Sequence, residues 1–240
     1  MSSDRIAPAG SLPSRRVIVS LDTPDPATAR AWNQAFAPYS GMSKLGLEYY
    51  LANGPQGMTG FEGPIFLDLK LHDIPNTVAA GVRSVLPLKP ALLTVHAGGG
   101  SAMIAAARNA TGDSADRTRI LAVTILTSLD AEAVAAIGFA EDPARQVLRL
   151  AKLAIAAGAD GLVCSAHEAA LLRAELGPEP LLVVPGIRPV GSEAGDQSRT
   201  MTPRAAIQAG ADYIVVGRPI TQAADPAAVA SSIAADIAGL

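Results

Sequence analysis

Acidic and basic residues alternate along one apolar stretch of this sequence, and their types suit electrostatic or acid–base catalysis. Asp68 and Lys70 are two residues apart in a stretch with the character of a β-strand, so both side chains are predicted to point to the same face. Asp73 follows just beyond the predicted strand end. Charged groups that face a protein interior must be paired or functional, because burying an unpaired charge is heavily penalised.

Lys44, on the preceding apolar stretch, is predicted to place a second ammonium group beside Asp68. In the resulting Lys–Asp–Lys–Asp array, the ammonium groups keep the carboxylates ionised and the carboxylates keep the lysines protonated. The alternative is a structural salt-bridge network in the core. We favour a functional array, because buried ion pairs stabilise a fold less well than apolar packing does.

A second group of residues, near the C-terminal end, is typical of phosphate binding. Gly217 lets the backbone approach an anion closely, and Arg218 supplies a bidentate hydrogen-bond donor. Arg188 and Gln197 lie in a long predicted loop, residues 185–202, that could close over the same anion. Loops of this length in a compact domain are more often functional than not. The alternative for Arg218 is a solvated side chain at a helix start.

Eight short apolar stretches, most followed by an alanine-rich stretch of helical period, must position these residues. The predicted strands are residues 17–21, 42–47, 65–70, 92–96, 120–126, 161–164, 181–184 and 213–216. The predicted helices are residues 26–37, 77–86, 101–109, 142–157, 167–175, 203–209 and 226–237. The helix after the second strand is the least well defined, because residues 53–63 contain four glycines and one proline.

The alternation of strands and helices indicates an α/β fold, with a parallel sheet covered by helices. Eight such units in about 225 residues fit a closed (β/α)8 (TIM) barrel. A doubly wound dinucleotide-binding sheet would have a glycine fingerprint after its first strand, but residues 21–24 read Leu-Asp-Thr-Pro. We therefore predict one barrel domain over residues 17–240, after an N-terminal tail over residues 1–16. Its active site would lie at the carboxyl ends of the strands.

Composition excludes several classes of function. Nineteen Lys and Arg residues against 22 Asp and Glu residues leave a formal net charge of −3, which argues against a nucleic-acid partner. No apolar run reaches the roughly 18 residues that a membrane span needs. Residues 1–15 lack the apolar segment of a secretory signal, and the single Cys164 cannot form an internal disulfide. The cytoplasm is therefore the predicted compartment.

Residues 68–77 read Asp-Leu-Lys-Leu-His-Asp-Ile-Pro-Asn-Thr, which resembles the signature of the orotidine 5′-phosphate decarboxylase family. The resemblance covers nearly the whole chain, through residues 21–22, 44–48, 95–97, 126–128, 185–188 and 215–220. It implies a (β/α)8 barrel and the decarboxylation of orotidine 5′-phosphate to UMP, the last step of UMP synthesis. It also implies that neither a metal nor an organic cofactor takes part.

The resemblance implies a role for each charged residue of the array. Lys70 would protonate C6 of the pyrimidine as carbon dioxide leaves, and Asp68 would lie beside the departing carboxylate. Lys44 would help to anchor the ribose and to order the array, while Asp22 would hold a ribose hydroxyl. Asp73 would reach a substrate bound to a second copy of the chain.

The resemblance further implies a homodimer in which active sites are shared across the interface. Asp73 and Thr77 would enter the partner's site. Thr127 would contact the pyrimidine, with Ser128 as its neighbour. The 5′-phosphate would be bound by four residues: Arg188, Gln197, Gly217 and Arg218.

Two other functions share parts of this pattern. Magnesium-dependent phosphosugar barrels, such as hexulose-phosphate synthase or ketogulonate-phosphate decarboxylase, have the same Asp-x-Lys-x-x-Asp pattern on the third strand. Their metal also requires a carboxylate on the second strand. Lys44 stands there instead, and an ammonium group would repel the metal. A non-catalytic barrel that senses nucleotides should keep the phosphate loop but lose a member of the charged array, and the whole array is present.

Overall fold

Eight parallel strands close into one barrel in a computed structural model that describes residues 13–139, 142–189 and 201–240. Each strand pairs with its neighbours in sequence, and the first pairs with the eighth. The strands are β1 (Val17–Ser20), β2 (Met42–Gly46), β3 (Ile65–Leu71), β4 (Leu92–His96), β5 (Arg119–Val123), β6 (Gly161–Val163), β7 (Leu181–Val184) and β8 (Tyr213–Val216). The predicted single-domain (β/α)8 barrel is confirmed.

At least one helix follows each strand and covers the outside of the barrel. The helices are α1 (Pro26–Phe36), α2 (Leu47–Asn53), α3 (Pro75–Val85), α4 (Gly100–Ala110), α5 (Ala131–Ala136), α6 (Pro143–Ala156), α7 (Ala166–Leu176), α8 (Pro203–Gln208), α9 (Arg218–Thr221) and α10 (Pro226–Asp236). A 3₁₀ helix, Pro13–Arg16, precedes β1. Within the described ranges, no helix is long and apolar enough to span a lipid bilayer.

Local sequence explains where several helices begin and end. Asp25, Asp142 and Asp225 each cap a helix that starts with proline, and their carboxylates accept backbone N–H groups of the first turn. The glycine-rich stretch after β2 ends α2 rather than preventing it, because Gly54 takes φ +59° directly after the last helical residue. Two short helices, α5 and α9, were not predicted, since each is too short for a clear period.

Two apolar layers hold the barrel together, one on each face of the sheet. The inner layer includes Ile18, Phe66, Leu121, Val163 and Val215, which fill the barrel. The residues next to them along the strands belong to the outer layer, between the sheet and the helices. The alternation follows from the pleat of a strand.

Two carboxylates from one repeated motif, Gly-Ala-Asp, lie at the amino end of the barrel, at residues 158–160 and 210–212. Asp160 binds the guanidinium of Arg117 and accepts the N–H of Ile120 at 2.8 Å. Asp212 binds Arg173 at 2.7 Å and accepts the N–H of Leu182 at 2.7 Å. Each carboxylate therefore ties the start of its own strand to the second residue of the preceding strand, Ile120 in β5 and Leu182 in β7.

Candidate active site

Four charged side chains form a continuous chain of ion pairs at the carboxyl ends of β1, β2 and β3. Lys44 Nζ lies 3.2 Å from Asp22 Oδ1 and 3.5 Å from Asp68 Oδ2. Lys70 Nζ lies 2.6 Å from the same Asp68 Oδ2. The structure thus brings together Lys44, Asp68 and Lys70 as the spacing predicts, with Asp22 at the head of the chain.

Asp68 is the buried centre of this charged chain, and 8% of its surface is exposed. Burial by itself would raise the pKa of Asp68. The charges of Lys44 and Lys70, together with hydrogen bonds from Lys70 and Thr94, outweigh burial and hold that pKa below its ordinary value. Asp68 is therefore a carboxylate at neutral pH, held between two cations.

The backbone at the end of β3 departs from a regular strand. Lys70 has φ +50°, in the left-handed region that side-chain-bearing residues rarely adopt. The register between β3 and β4 shifts between Leu67 and Leu71. Sequence alternation predicts that Asp68 and Lys70 share a face; their side chains do converge, but across a distorted strand end.

A cavity of about 290 Å³ opens beside the charged chain. Phe66, Val123, Val163 and Val215 of the inner apolar layer form its floor. Charged residues line one side of it, and Arg188, Gly217 and Arg218 line another. The cavity therefore suits a molecule that has an apolar or weakly polar part as well as charged groups.

Two guanidinium groups share one part of the cavity wall. Burial and the nearby charge of Arg218 lower the pKa of Arg188 from its ordinary value. Like charges are costly to bring together, so this arrangement suits a site whose ligand is an anion.

Gly217 lies between β8 and Arg218, and a Cβ there would stand 3.2 Å from Ser20 Cβ. The missing side chain keeps this part of the wall open.

The remaining predicted site residues fall into three groups. Thr127 and Ser128, after β5, line the cavity. Asp73 and Thr77 lie on the rim and are exposed, outside the set of residues that line the cavity of their own chain. The N–H of Ile74 donates to Asp73 Oδ1. Gln197 lies outside the described residues.

Two hydroxyl groups of the site were not predicted. Ser20 Oγ donates to Asp22 Oδ2 at 2.8 Å, and Thr94 Oγ1 donates to Asp68 Oδ1 at 2.9 Å. Ser20 could have been found, because it is two residues before Asp22 and shares its face of the strand. Thr94 gives a weaker signal, a polar residue in an otherwise apolar strand.

Two histidines pack beside the end of β3. The rings of His72 and His96 are tilted against each other with centroids 5.3 Å apart. Burial, followed by the charges of His72 and Lys70, lowers the pKa of His96. His96 is therefore neutral at neutral pH. Across residues 13–139, 142–189 and 201–240, no three His, Cys, Asp or Glu side chains are grouped so that they could hold a metal ion.

Comparisons with known proteins agree with this geometry. Residues 15–233 match the model of the orotidine 5′-phosphate decarboxylase / HUMPS family. A protein of Anaeromyxobacter dehalogenans named orotidine 5′-phosphate decarboxylase is 53% identical over 228 residues, which are 94% of this chain and 99% of that protein. A protein of the same name from Gluconobacter oxydans is 55% identical over 231 residues, 93% of this chain and 97% of that protein.

Solved structures show the same architecture. The crystal structure of orotidine 5′-phosphate decarboxylase from Lactobacillus acidophilus superposes with a TM-score of 0.79 at 37% identity, and the match covers 94% of this chain and 100% of that chain. The enzyme of that name from Pyrococcus horikoshii, at 24% identity and a TM-score of 0.74, shares the fold over 93% of this chain and 100% of that chain.

Proposed function

The chain belongs to the orotidine 5′-phosphate decarboxylase / HUMPS family, and from this membership we propose that it decarboxylates orotidine 5′-phosphate to UMP and carbon dioxide. This reaction is the last step of UMP synthesis. The relatives at 46–55% identity that carry the name of this enzyme support the proposal. The observation that carries it is the position of Lys44.

Lys44 distinguishes decarboxylation from the magnesium-dependent chemistry of related barrels. Its ammonium group lies between the carboxylates of Asp22 and Asp68, at 3.2 and 3.5 Å. A divalent cation bridging these carboxylates would have to occupy the same space and face the same positive charge. The charge balance of the site is therefore complete without a metal, which supports a reaction that uses neither metal nor organic cofactor.

The reaction requires stabilisation of a carbanion that the pyrimidine ring cannot delocalise well. As the bond between C6 and the carboxylate carbon breaks, its electron pair remains on C6 and carbon dioxide departs. In our proposal the Lys70 ammonium opposes this developing charge and then transfers its proton to C6. Asp68 lies beside the departing carboxylate, so their repulsion eases as carbon dioxide forms. Water then reprotonates Lys70.

The other cavity residues would bind the parts of the substrate that do not react. Arg188 and Arg218, with Gly217 and Gln197, would bind the 5′-phosphate, since paired guanidinium groups suit a dianion. Asp22 and Lys44 would hold the ribose hydroxyls, and Thr127 with Ser128 would contact the pyrimidine. Binding energy from the phosphate would help to hold the carboxylate near Asp68.

We also propose that two copies of the chain complete each site. Asp73 and Thr77 are exposed on the rim, so they are available to enter a partner's cavity. Ile74, next to Asp73, is an apolar residue that is 66% exposed, which supports burial against a second copy. Neither a nucleic acid nor a membrane has a part in this reaction, and the cytoplasm, where charged nucleotides are retained, is its proposed compartment.

The proposal is tested by mixing purified, EDTA-treated protein with orotidine 5′-phosphate and following the fall in ultraviolet absorbance as UMP forms. We expect rapid loss of substrate without added metal. Lys152→Ala is the matched control for any variant that removes a lysine of the site, because Lys152 forms an exposed ion pair with Glu175 at 2.7 Å. It should turn over orotidine 5′-phosphate as the wild-type chain does. No loss of orotidine 5′-phosphate, together with turnover of a pentulose or hexulose phosphate once Mg²⁺ is returned, would overturn the proposal.

A further inference from the structure

Thr94 connects the two β3 residues on which the proposed reaction depends, although it does not line the cavity. It lies in the middle of β4 and none of its surface is exposed. Its hydroxyl accepts the backbone N–H of Lys70 at 2.9 Å and donates to Asp68 Oδ1 at 2.9 Å. One buried hydroxyl therefore contacts both the backbone of the proton donor and the carboxylate beside it.

The bond to Lys70 occurs where the strand ladder is interrupted. The register between β3 and β4 shifts between Leu67 and Leu71, and Lys70 has φ +50°. Such a backbone conformation persists only when its surroundings hold it in place. The N–H of Lys70 is bound by the Thr94 side chain, so this hydroxyl supports the left-handed conformation that directs the lysine into the cavity.

The bond to Asp68 fixes the rotation of its carboxylate. Asp68 Oδ2 faces both ammonium groups, at 2.6 Å from Lys70 and 3.5 Å from Lys44. Thr94 occupies the other oxygen, Oδ1. A carboxylate held at both oxygens cannot turn away from the lysines, so the two ammonium groups beside it are held in place as well.

We propose that Thr94 is a positioning residue for the decarboxylation, acting through Lys70 and Asp68 without contact to the substrate. This inference rests on the proposed function. The hydroxyl, rather than the shape of the side chain, is what it requires. Removing the hydroxyl would leave the phosphate and ribose contacts intact but would release the proton donor and the carboxylate from their alignment.

The test compares Thr94→Val, which keeps the shape and loses the hydroxyl, with Thr94→Ser, which keeps the hydroxyl. We expect Thr94→Val to lower kcat by about 10-fold to 100-fold, the range for losing a hydrogen bond to a charged group, with KM changed less than about 3-fold. We expect Thr94→Ser to retain about a third of kcat or more. Binding of UMP, measured by titration calorimetry, should be nearly unchanged in both variants.

A matched control separates positioning from general loss of stability. Thr118 is also buried, and its hydroxyl donates to the Pro90 carbonyl at 2.7 Å at the amino end of the barrel. Thr118→Val removes a comparable buried hydrogen bond far from the cavity. We expect it to lower the thermal midpoint while kcat stays within about 2-fold of the wild-type value.

The pH profile gives a readout that a purely structural role would not change. Asp68 faces Lys44 from β2, Lys70 from β3, and Thr94 and His96 from β4, with Asp22 beyond Lys44. Loss of the Thr94 donor raises the pKa of Asp68, so the acid limb of kcat should move to higher pH in Thr94→Val. Thr118→Val should leave that limb in place.

Several results would overturn the inference. Wild-type kcat with an unmoved acid limb in Thr94→Val would do so, and so would an equal loss in Thr94→Ser or in Thr118→Val. A crystal structure of Thr94→Val would test the alignment independently of activity. Unchanged positions of Lys70 and Asp68 in that structure would also overturn the inference. If the wild-type chain itself does not decarboxylate orotidine 5′-phosphate, the proposed function fails, and that outcome is separate from these.

Discussion

The two ends of the barrel use the same residue types for different purposes. At the amino end, Asp160 binds the Arg117 guanidinium and accepts the N–H of Ile120. The side chains of Asp160 and Arg117 are only 16% and 15% exposed. At the carboxyl end, the charged chain runs from Asp22, whose side chain is 53% exposed, to Lys70, at 30%. The first arrangement faces backbone, and the second faces a cavity.

The two ends show how a structural ion pair can be told from one that takes part in chemistry. A carboxylate that binds one guanidinium and the N–H of a neighbouring strand uses its hydrogen-bonding capacity on the fold. Lys70 is held at Asp68 in a left-handed backbone conformation, and its ammonium also lines the cavity. Strain and cavity access together mark the carboxyl end as the site of chemistry.

The largest expected effect that separates the two ends is on turnover. Lys70→Ala removes both the positive charge opposite C6 and the proposed proton donor, so kcat should fall by about 10⁴-fold or more. The absorbance assay measures it, and calorimetry with UMP should show binding largely retained. Lys152→Ala serves as the control. A Lys70→Ala variant with substantial activity would remove the role that we assign to this residue.

A second expected effect concerns whether the carboxyl end is completed by another chain. Inactive Lys70→Ala chains and inactive Asp73→Ala chains, unfolded and refolded together in equal amounts, should form mixed dimers. Each mixed dimer has one site with both residues intact, so random assembly restores about a quarter of the wild-type activity. Each variant refolded alone is the control. No recovery, with mixed dimers shown to form by mass spectrometry, would contradict a shared site.

A third, smaller effect should appear in KM. Arg218→Ala removes a guanidinium from the proposed phosphate site, so KM for orotidine 5′-phosphate should rise by about 100-fold, as expected when bonds from a cation to an anion are lost. Arg204→Ala is the matched control, because this arginine pairs with Asp236 at 3.3 Å on the surface. Equal effects of the two variants would show that net charge, rather than the site, is responsible.

Most of the fold is predictable from the sequence because strands buried on both faces are continuous apolar runs. Eight such runs indicate the barrel, and the structure has a strand at each of them. Six of these strands lie within the predicted ranges, and β3 and β5 each extend one residue beyond, at Leu71 and Arg119. Boundaries differ where loops take over: β5 ends at Val123, while residues up to 126 were predicted to be strand. Ile125 and Leu126 line the cavity instead, and Ile125 also belongs to the buried core.

The site is predictable as far as its residues depend on local spacing. Asp68 and Lys70 follow from the two-residue period, and Lys44 follows from adjacent strands. The part played by Thr94 depends on the register shift between β3 and β4, which no local pattern specifies. In the same way, Asp22 joins Lys44 through the register of β1 and β2, whereas the sequence predicted Asp73 as the second carboxylate of the array. Asp73 keeps its proposed role across the dimer interface.

The smallest expected effect on activity comes from removing a charged residue at the amino end. That substitution should lower the stability of the fold instead. Arg117→Ala leaves the carboxylate of Asp160 without its buried cation, so the free energy of unfolding should fall by about 3 kcal/mol. The kcat of the folded variant should stay within about 2-fold, because no group near the cavity moves. Urea unfolding followed by circular dichroism measures the first quantity, and the absorbance assay measures the second.

Arg145→Ala supplies the comparison for an exposed pair. Its guanidinium is 81% exposed and lies 3.7 Å from Asp142, so its loss should change stability by less than about 0.5 kcal/mol. If Arg117→Ala instead lowered kcat while its stability stayed unchanged, ion pairs at the amino end would have to act on the cavity through the strands. The division between a structural end and a chemical end would then be wrong, since the strand starts held by Asp160 would contribute to the alignment of Lys70 at the opposite end.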